Sequence, residues 1–361
     1  MRPLLTLSSL GVFLTLSHQV EAQDESTPPP PTAPPCAEND ESPCEKAPKR
    51  PSGSLAISAA YTPDERVIVG AGVRNDRLFG SDHKLELSAV LSARRQRVGV
   101  TYEAPNLLDD GLGLTLAARD KTIAYENFSK RHTGASIGLE RRLPSGLGVS
   151  IGYRLDDASA TLSSASEKDA LALHQEGIVA GLRMGVSFDR TYSRRHAINA
   201  EVFAERSASW LGSDYEFVRY GGTMQYRRPL VGALTLELSG GVEALVGPSH
   251  NALPLAERLQ YDGHTDVRGY PLGSIGGPVG STLKAAGTAE LQFPLLRSWG
   301  LSGALFYDAG MMRQPFDTQT AQSVGAGLLF DSPVGGIRLD VAVPLDDGMS
   351  PQFLLSIGDA F

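Results

Sequence analysis

The stretch Leu147-Gly148-Val149-Ser150-Ile151-Gly152-Tyr153-Arg154-Leu155-Asp156 decides the fold. Every second residue is large and apolar, and those between are glycine, serine or charged. That is the period of an extended strand with two unlike faces. The pattern returns in Ile178-Ala180-Leu182-Met184-Val186-Phe188 against Gly177, Gly181, Arg183, Gly185, Ser187 and Asp189. It returns again in Leu234-Leu236-Leu238-Val242 against Thr235, Glu237, Ser239 and Glu243.

Working outward from Ser54, about sixteen such segments can be counted, each roughly 8–14 residues and so long enough to cross a bilayer as tilted strands. Short and long connections alternate. Leu143-Pro144-Ser145-Gly146, Arg228 to Gly232 and Asp331 to Gly336 read as tight turns. Ala158 to Leu173, Arg206 to Asp214, Gly247 to Ser281 and Met311 to Thr320 read as long loops. This asymmetry belongs to barrels with short periplasmic turns and longer extracellular loops. A soluble sandwich would alternate too, but an interior lined with Leu, Val and Ile from so many strands is too wide to fill. The other face, glycine with Arg154, Arg183, Glu237, Glu243 and Lys284, suits a polar lumen. A closed sheet leaves no backbone edge unsatisfied in lipid. The fold class is all-β: a transmembrane antiparallel β-barrel of about sixteen strands over residues 53–361.

Composition narrows the function. The 361 residues carry a formal net charge of −8, against a nucleic-acid partner, and 39 glycines, too many for a helical core. Arg2, the apolar run Leu4 to Leu16 and the small-residue site Val20-Glu21-Ala22 make residues 1–22 a signal peptide. Residues 23–52, with Pro28 to Pro31, Pro34 and Pro35, read as an extended periplasmic tether. Cys36 and Cys44 are too few for a four-ligand metal site. A bridge between them across a short loop and two free thiols both stay open.

Enzymatic readings find no support. Gly134-Ala-Ser136-Ile-Gly138 and Gly148-Val-Ser150-Ile-Gly152 match a nucleophile-elbow pattern, but that motif needs a strand-to-helix turn and these serines fall within strands. His132, His174, His196, His250 and His264 lack ligand spacing. The expectation is no catalytic residue, no metal and no cofactor.

One loop breaks the alternation. Asp262 to Ser281 holds six glycines, two prolines and one arginine, Arg268, in its most apolar part. Such a loop either points into solvent or folds back, with Arg268 as its anchor. Parity says what Arg268 would meet inside. With Leu283, Ala285, Ala289, Leu291 and Phe293 facing lipid, Lys284, Thr288, Glu290 and Gln292 face the lumen. With Leu301, Gly303, Leu305 and Tyr307 outside, Phe306 and Asp308 face inward. A guanidinium in a partly dehydrated cavity needs carboxylates, so Arg268 is expected to pair with Asp308 and Glu290.

These residues resemble the bacterial surface-antigen barrel superfamily, the group of BamA- and TamA-type assembly proteins and two-partner-secretion relatives. The resemblance lies in Val267-Arg268-Gly269-Tyr270, in Phe306-Tyr307-Asp308-Ala309-Gly310 and in Phe330-Asp331-Ser332-Pro333-Val334-Gly335. Asn75 to Gly80 and Glu103-Ala104-Pro105 look like the family's periplasmic turns. The resemblance implies an outer-membrane location, a sixth extracellular loop locked in the lumen by Val267 to Tyr270, and a weak lateral seam between first and last strands. Ser54, Leu55, Ala56, Ile57, Ser356, Gly358 and Phe361 would form that seam, and cysteines at Ala56 and Leu355 would lock it. It implies insertion or translocation of proteins, with lipid movement as a further option. Expected partners are outer-membrane lipid, unfolded barrel proteins or secreted polypeptide, and a separate periplasmic protein. The sequence departs from the assembly members in showing a proline-rich tether where they carry POTRA domains. A passive pore or structural surface antigen is the alternative function.

Overall fold

The computed structural model describes residues 53–107, 111–162, 175–193, 195–249, 252–277, 280–314, 317–332, 335–346 and 348–358. The expected signal peptide, tether, Cys36, Cys44, His174, His250 and Phe361 lie outside them.

Sixteen antiparallel strands close into one barrel. The first eight are β1 (Gly53–Thr62), β2 (Arg66–Asn75), β3 (Lys84–Leu91), β4 (Arg95–Ala104), β5 (Leu112–Ala124), β6 (Phe128–Arg142), β7 (Leu147–Leu162) and β8 (Gln175–Ser193). Then follow β9 (His196–Ser207), β10 (Phe217–Pro229), β11 (Thr235–Val246), β12 (Leu283–Leu296), β13 (Leu301–Arg313), β14 (Thr318–Ser332), β15 (Gly335–Pro344) and β16 (Gln352–Ile357). Each pairs with its sequence neighbours, and β1 pairs with β16.

The two faces separate as the alternation requires. Val149, Ile151, Met184, Val202, Leu305 and Leu328 project outward, forming the apolar band that lipid tails would cover. Arg154, Asp156, Arg183, Glu243, Lys284 and Asp308 are buried on the lumen side. The chain's two tryptophans sit in 3₁₀ turns at opposite ends of the barrel. Trp210 is 72% exposed in the β9–β10 loop and Trp299 is 71% exposed in the β12–β13 turn, positions suited to the two aromatic girdles at the membrane surfaces.

The loop expected to start at Ala158 starts later, because β7 continues to Leu162. The physical reason is an inversion of polarity. Along Asp157 to Leu162 the inward residues Ala158, Ala160 and Leu162 are apolar and buried, whereas outward Asp157 and Thr161 are polar and exposed. Above the bilayer the outside is water, and the inside is an apolar cluster in which Tyr125, Phe128, Val179, Phe217 and Leu245 pack on Leu253, Leu255 and Leu272 of the β11–β12 loop. Likewise Met311 to Arg313 and Thr318 to Thr320 belong to β13 and β14.

Candidate functional site: the plugged lumen and the seam

The β11–β12 connection, the sixth extracellular loop, turns into the barrel. Its residues Leu255, Tyr261, Val267 and Tyr270 are at most 2% exposed, and Leu259 bridges to Ser281 at its base. So many turn residues could form a solvated flap, but here wall residues bond parts of its backbone: the N–H groups of Arg268, Leu272 and Gly276 donate to Asp308, Asp64 and Gln319.

At the tip, Arg268 donates from Nε and Nη2 to the two Asp308 oxygens at 2.7 and 2.8 Å, and from its backbone N–H to Oδ2 at 3.1 Å. Its Nη1 donates at 3.2 Å to both Glu290 and Asp340. The guanidinium lies over the Phe306 ring, 3.3 Å from the centroid, in cation–π contact. Phe306 has room because β14 carries Gly325 opposite it: a Cβ there would lie 2.1 Å from Phe306 Cζ.

A second cation, which the sequence reading did not single out, shares the acids. Arg338 donates to Glu290 at 2.6 Å and to Asp340 at 2.7 Å. Both β15 residues were within reach of the parity argument, since Ile337, Leu339 and Val341 alternate with Arg338, Asp340 and Ala342. The rest of the motif is packed: Val267 lies against Gly310, Gly269 adopts φ +92° beside Pro344, and the Tyr270 hydroxyl is 2.8 Å from Asp346 and accepts the Gln322 N–H.

Nearer the mouth, the loop presents acids to a basic wall. Glu257 receives Arg154 at 3.1 Å on each oxygen, is paired with Arg219, and faces His132 Nε2 at 3.3 Å. Burial alone would push its carboxyl up, yet Arg154 and Arg219 hold it well below the usual carboxylate range. Arg154 also holds Glu205 at 2.6 Å and Asp156 at 2.8 Å. Lys284 grips Asp266 at 3.0 Å, and the Leu272 N–H donates to Asp64 of the β1–β2 turn at 2.8 Å. Glu257, Asp262 and Asp266 escaped the sequence reading because a loop has no two-residue period to say which side chains turn inward.

At the closure, β1 and β16 share three registered pairs among the described residues: Ala59↔Ile357, Ala60↔Ser356 and Tyr61↔Leu355. Ladders elsewhere run from six pairs at β15–β16 upward. Ser54, Leu55, Ala56 and Ile57 pair with β2, opposite Arg74, Val73, Gly72 and Ala71. Cysteines at Ala56 and Leu355 would therefore not face each other, since Leu355 stands opposite Tyr61; Ala60 and Ser356 are the registered pair. Gly358 leaves the ladder with φ +80°, its N–H donating to Gly336 O.

Ser136 and Ser150 lie inside β6 and β7 rather than at a strand-to-helix turn. No cluster of His, Cys, Asp or Glu suited to a metal ion occurs among the described residues.

A closed sixteen-strand barrel, lipid-facing outside and plugged by an arginine-anchored loop, is an outer-membrane protein of the plugged-barrel kind. The Omp85 superfamily domain matches residues 77–361, and the chain belongs to that superfamily. It is 23% identical over 337 residues to the outer membrane protein assembly factor BamA of Nitratidesulfovibrio vulgaris, covering 88% of this chain and 43% of that protein. The BamA of Neisseria meningitidis serogroup B is also 23% identical, over 82% of this chain and 45% of its own length. The chain thus spans less than half of these curated relatives. Among solved structures, BamA from Haemophilus ducreyi lacking POTRA domains 1–3 superposes with a TM-score of 0.70 at 17% identity, over 85% of this chain and 70% of that one. CdiB from Escherichia coli gives 0.64 at 13% identity, over 86% and 63%.

Proposed function

We propose that this barrel inserts or translocates polypeptides at the outer membrane, without enzymatic chemistry, by parting β1 from β16 while the sixth loop keeps the lumen shut. The seam, with three registered pairs among the described residues, carries this reading. At roughly 1 kcal/mol net per backbone hydrogen bond, so short a ladder is the least costly place to open the wall. The edge of β1 then offers its backbone groups to an incoming strand by β-augmentation. The loop in the lumen supports the same reading against a passive pore, because it sets an apolar cluster and a salt-bridged tip in the path of ions.

By analogy with the relatives, clients would be unfolded barrel proteins or secreted polypeptide, delivered by a separate periplasmic protein. The same opening would also give lipid a path through the wall.

The test locks the registered pair. Ala60→Cys with Ser356→Cys, in a Cys36→Ser/Cys44→Ser background, is reconstituted in liposomes and offered an unfolded test barrel. Insertion should be accelerated by the reduced protein and return to the protein-free rate on oxidation. Equal acceleration in both states would rule out the seam as the route, and steady ion conductance without acceleration would favour the pore.

A further inference from the structure

We propose that the upper lumen holds a binding site for a phosphate group, separate from the arginine anchor and from the seam. Between the β4–β12 wall and residues 256–262 of the sixth loop lies a cavity of about 160 Å³, room for a phosphate and several waters. Nine lysine and arginine side chains face it, against four carboxylates.

Those four are already engaged. Glu205 is held by Arg154, Glu243 by Arg219, Glu257 by both, and Asp262 by Lys284 at 3.6 Å. The remaining cations include Arg97 and Lys121, which stand directly opposite each other on β4 and β5. Neither makes a hydrogen bond or ion pair with a described residue. Like charges so placed repel, and a low-dielectric wall sharpens the repulsion. Two buried donors on the same lining, Gln260 Nε2 and Arg219 Nε, also lack a partner among the described residues, and Gln260 is only 6% exposed.

An anion between Arg97 and Lys121 relieves their repulsion. A carboxylate brings one charge and two acceptor oxygens, whereas a phosphate brings between one and two charges and three acceptors that match guanidinium forks. Once Asp156, Glu201 and Asp266, the acids just off the lining that hold Arg119, Arg183 and Lys284, are counted, a surplus of two cations remains, and that surplus matches the charge of a phosphate better than that of a carboxylate. Its source is either a soluble polyphosphate or the headgroup of an anionic lipid; the shared chemistry is the phosphate itself.

The experiment measures binding of tripolyphosphate and of short-chain phosphatidic acid to the detergent-solubilised full chain, by calorimetry and Tm, at matched ionic strength so that screening cancels. Saturable binding is expected, weakened about tenfold in Arg97→Gln/Lys121→Gln, as loss of charge-assisted contacts requires. If the double variant does not fold, Lys121→Gln alone should weaken binding severalfold. The exposed-cation control Arg131→Gln should bind as the parent does. Preference for tripolyphosphate assigns the soluble source, and preference for phosphatidic acid assigns the lipid. Undiminished affinity in the lumen variants, equal loss in Arg131→Gln, or no saturable binding of either probe would overturn the proposal.

Discussion

Arg268 and Asp308, forty residues apart, are joined three times, by Nε, by Nη2 and by the backbone N–H of Arg268. The side-chain fork fixes where the guanidinium sits, and the backbone bond fixes how the loop approaches β13. One carboxylate thus sets both position and orientation of the plug. Glu290, Asp340 and Arg338 complete a group of two cations and three carboxylates that ties the loop to three strands.

Removing the arginine should cost far more than a surface pair. Arg268→Ala takes from Asp308 its arginine partner and leaves Glu290 and Asp340 to Arg338 alone, and breaking a buried pair costs about 3–5 kcal/mol. Thermal melting should shift down accordingly, and limited proteolysis should cut within residues 262–281. In a cycle with Asp308→Ala, additive costs would show that the two do not act as a unit. Arg268→Lys should rescue only part of the loss, since an ammonium cannot form the fork or lie flat on Phe306.

The carboxylates should not be equivalent. Asp308 accepts three bonds through both oxygens, whereas Asp340 uses only Oδ2 and its buried Oδ1 has no partner among the described residues. Asp308→Asn is expected to destabilise by about 2–3 kcal/mol and Asp340→Asn by about 1 kcal/mol or less. Denaturant melts of the two variants side by side decide the order, and equal losses would contradict this account of the cluster.

Much of this was legible in the chain because a barrel strand has the simplest of codes. Parity alone places Glu290 and Asp308 in the lumen, and likewise Arg338 and Asp340, which alternate with Ile337, Leu339 and Val341. Three things were not legible. Where the outside changes from lipid to water the code inverts, so Ala158, Ala160 and Leu162 looked like loop although they continue a strand. Within the sixth loop there is no code at all: Glu257 and Asp266 reach the wall because turns at neighbouring residues aim them, and turn geometry does not show in the spacing of charges. The seam's register was hidden too, since nothing in β1 or β16 alone says that Leu355 meets Tyr61 and not Ala56.

Acid should loosen the mouth of the plug through Glu257. Its carboxyl is held well below the ordinary value of about 4.3, so the folded state binds its proton less readily than the unfolded chain. The resulting stability is fully present above about pH 5, declines as pH falls past the unfolded value, and is lost once pH passes below the depressed folded one. Protease sensitivity of the loop should therefore rise on acidification below about pH 4. Glu257→Gln should be less stable at pH 7 and should lose part of this acid dependence. A variant with the parent's pH profile would mean that other carboxylates govern it.

The seam depends on a residue that can turn away without strain. Gly358 sits at φ +80°, and a Cβ there would come within 2.7 Å of Ile57 O. Gly358→Ala thus meets both the left-handed penalty of about 1–2 kcal/mol and a clash with the strand it borders. Either β16 shifts or its end detaches from β1, and both outcomes disturb Ala60↔Ser356. Registered antiparallel Cα atoms lie about 4.5–5.5 Å apart, within disulfide reach. Cysteines at these two positions should therefore oxidise rapidly in the parent and several times more slowly when combined with Gly358→Ala. If instead the disulfide forms at the parent's rate, the register is held by Tyr61↔Leu355 and Ala59↔Ile357 without help from the glycine. The seam would then open by losing those pairs rather than by peeling from the end of β16.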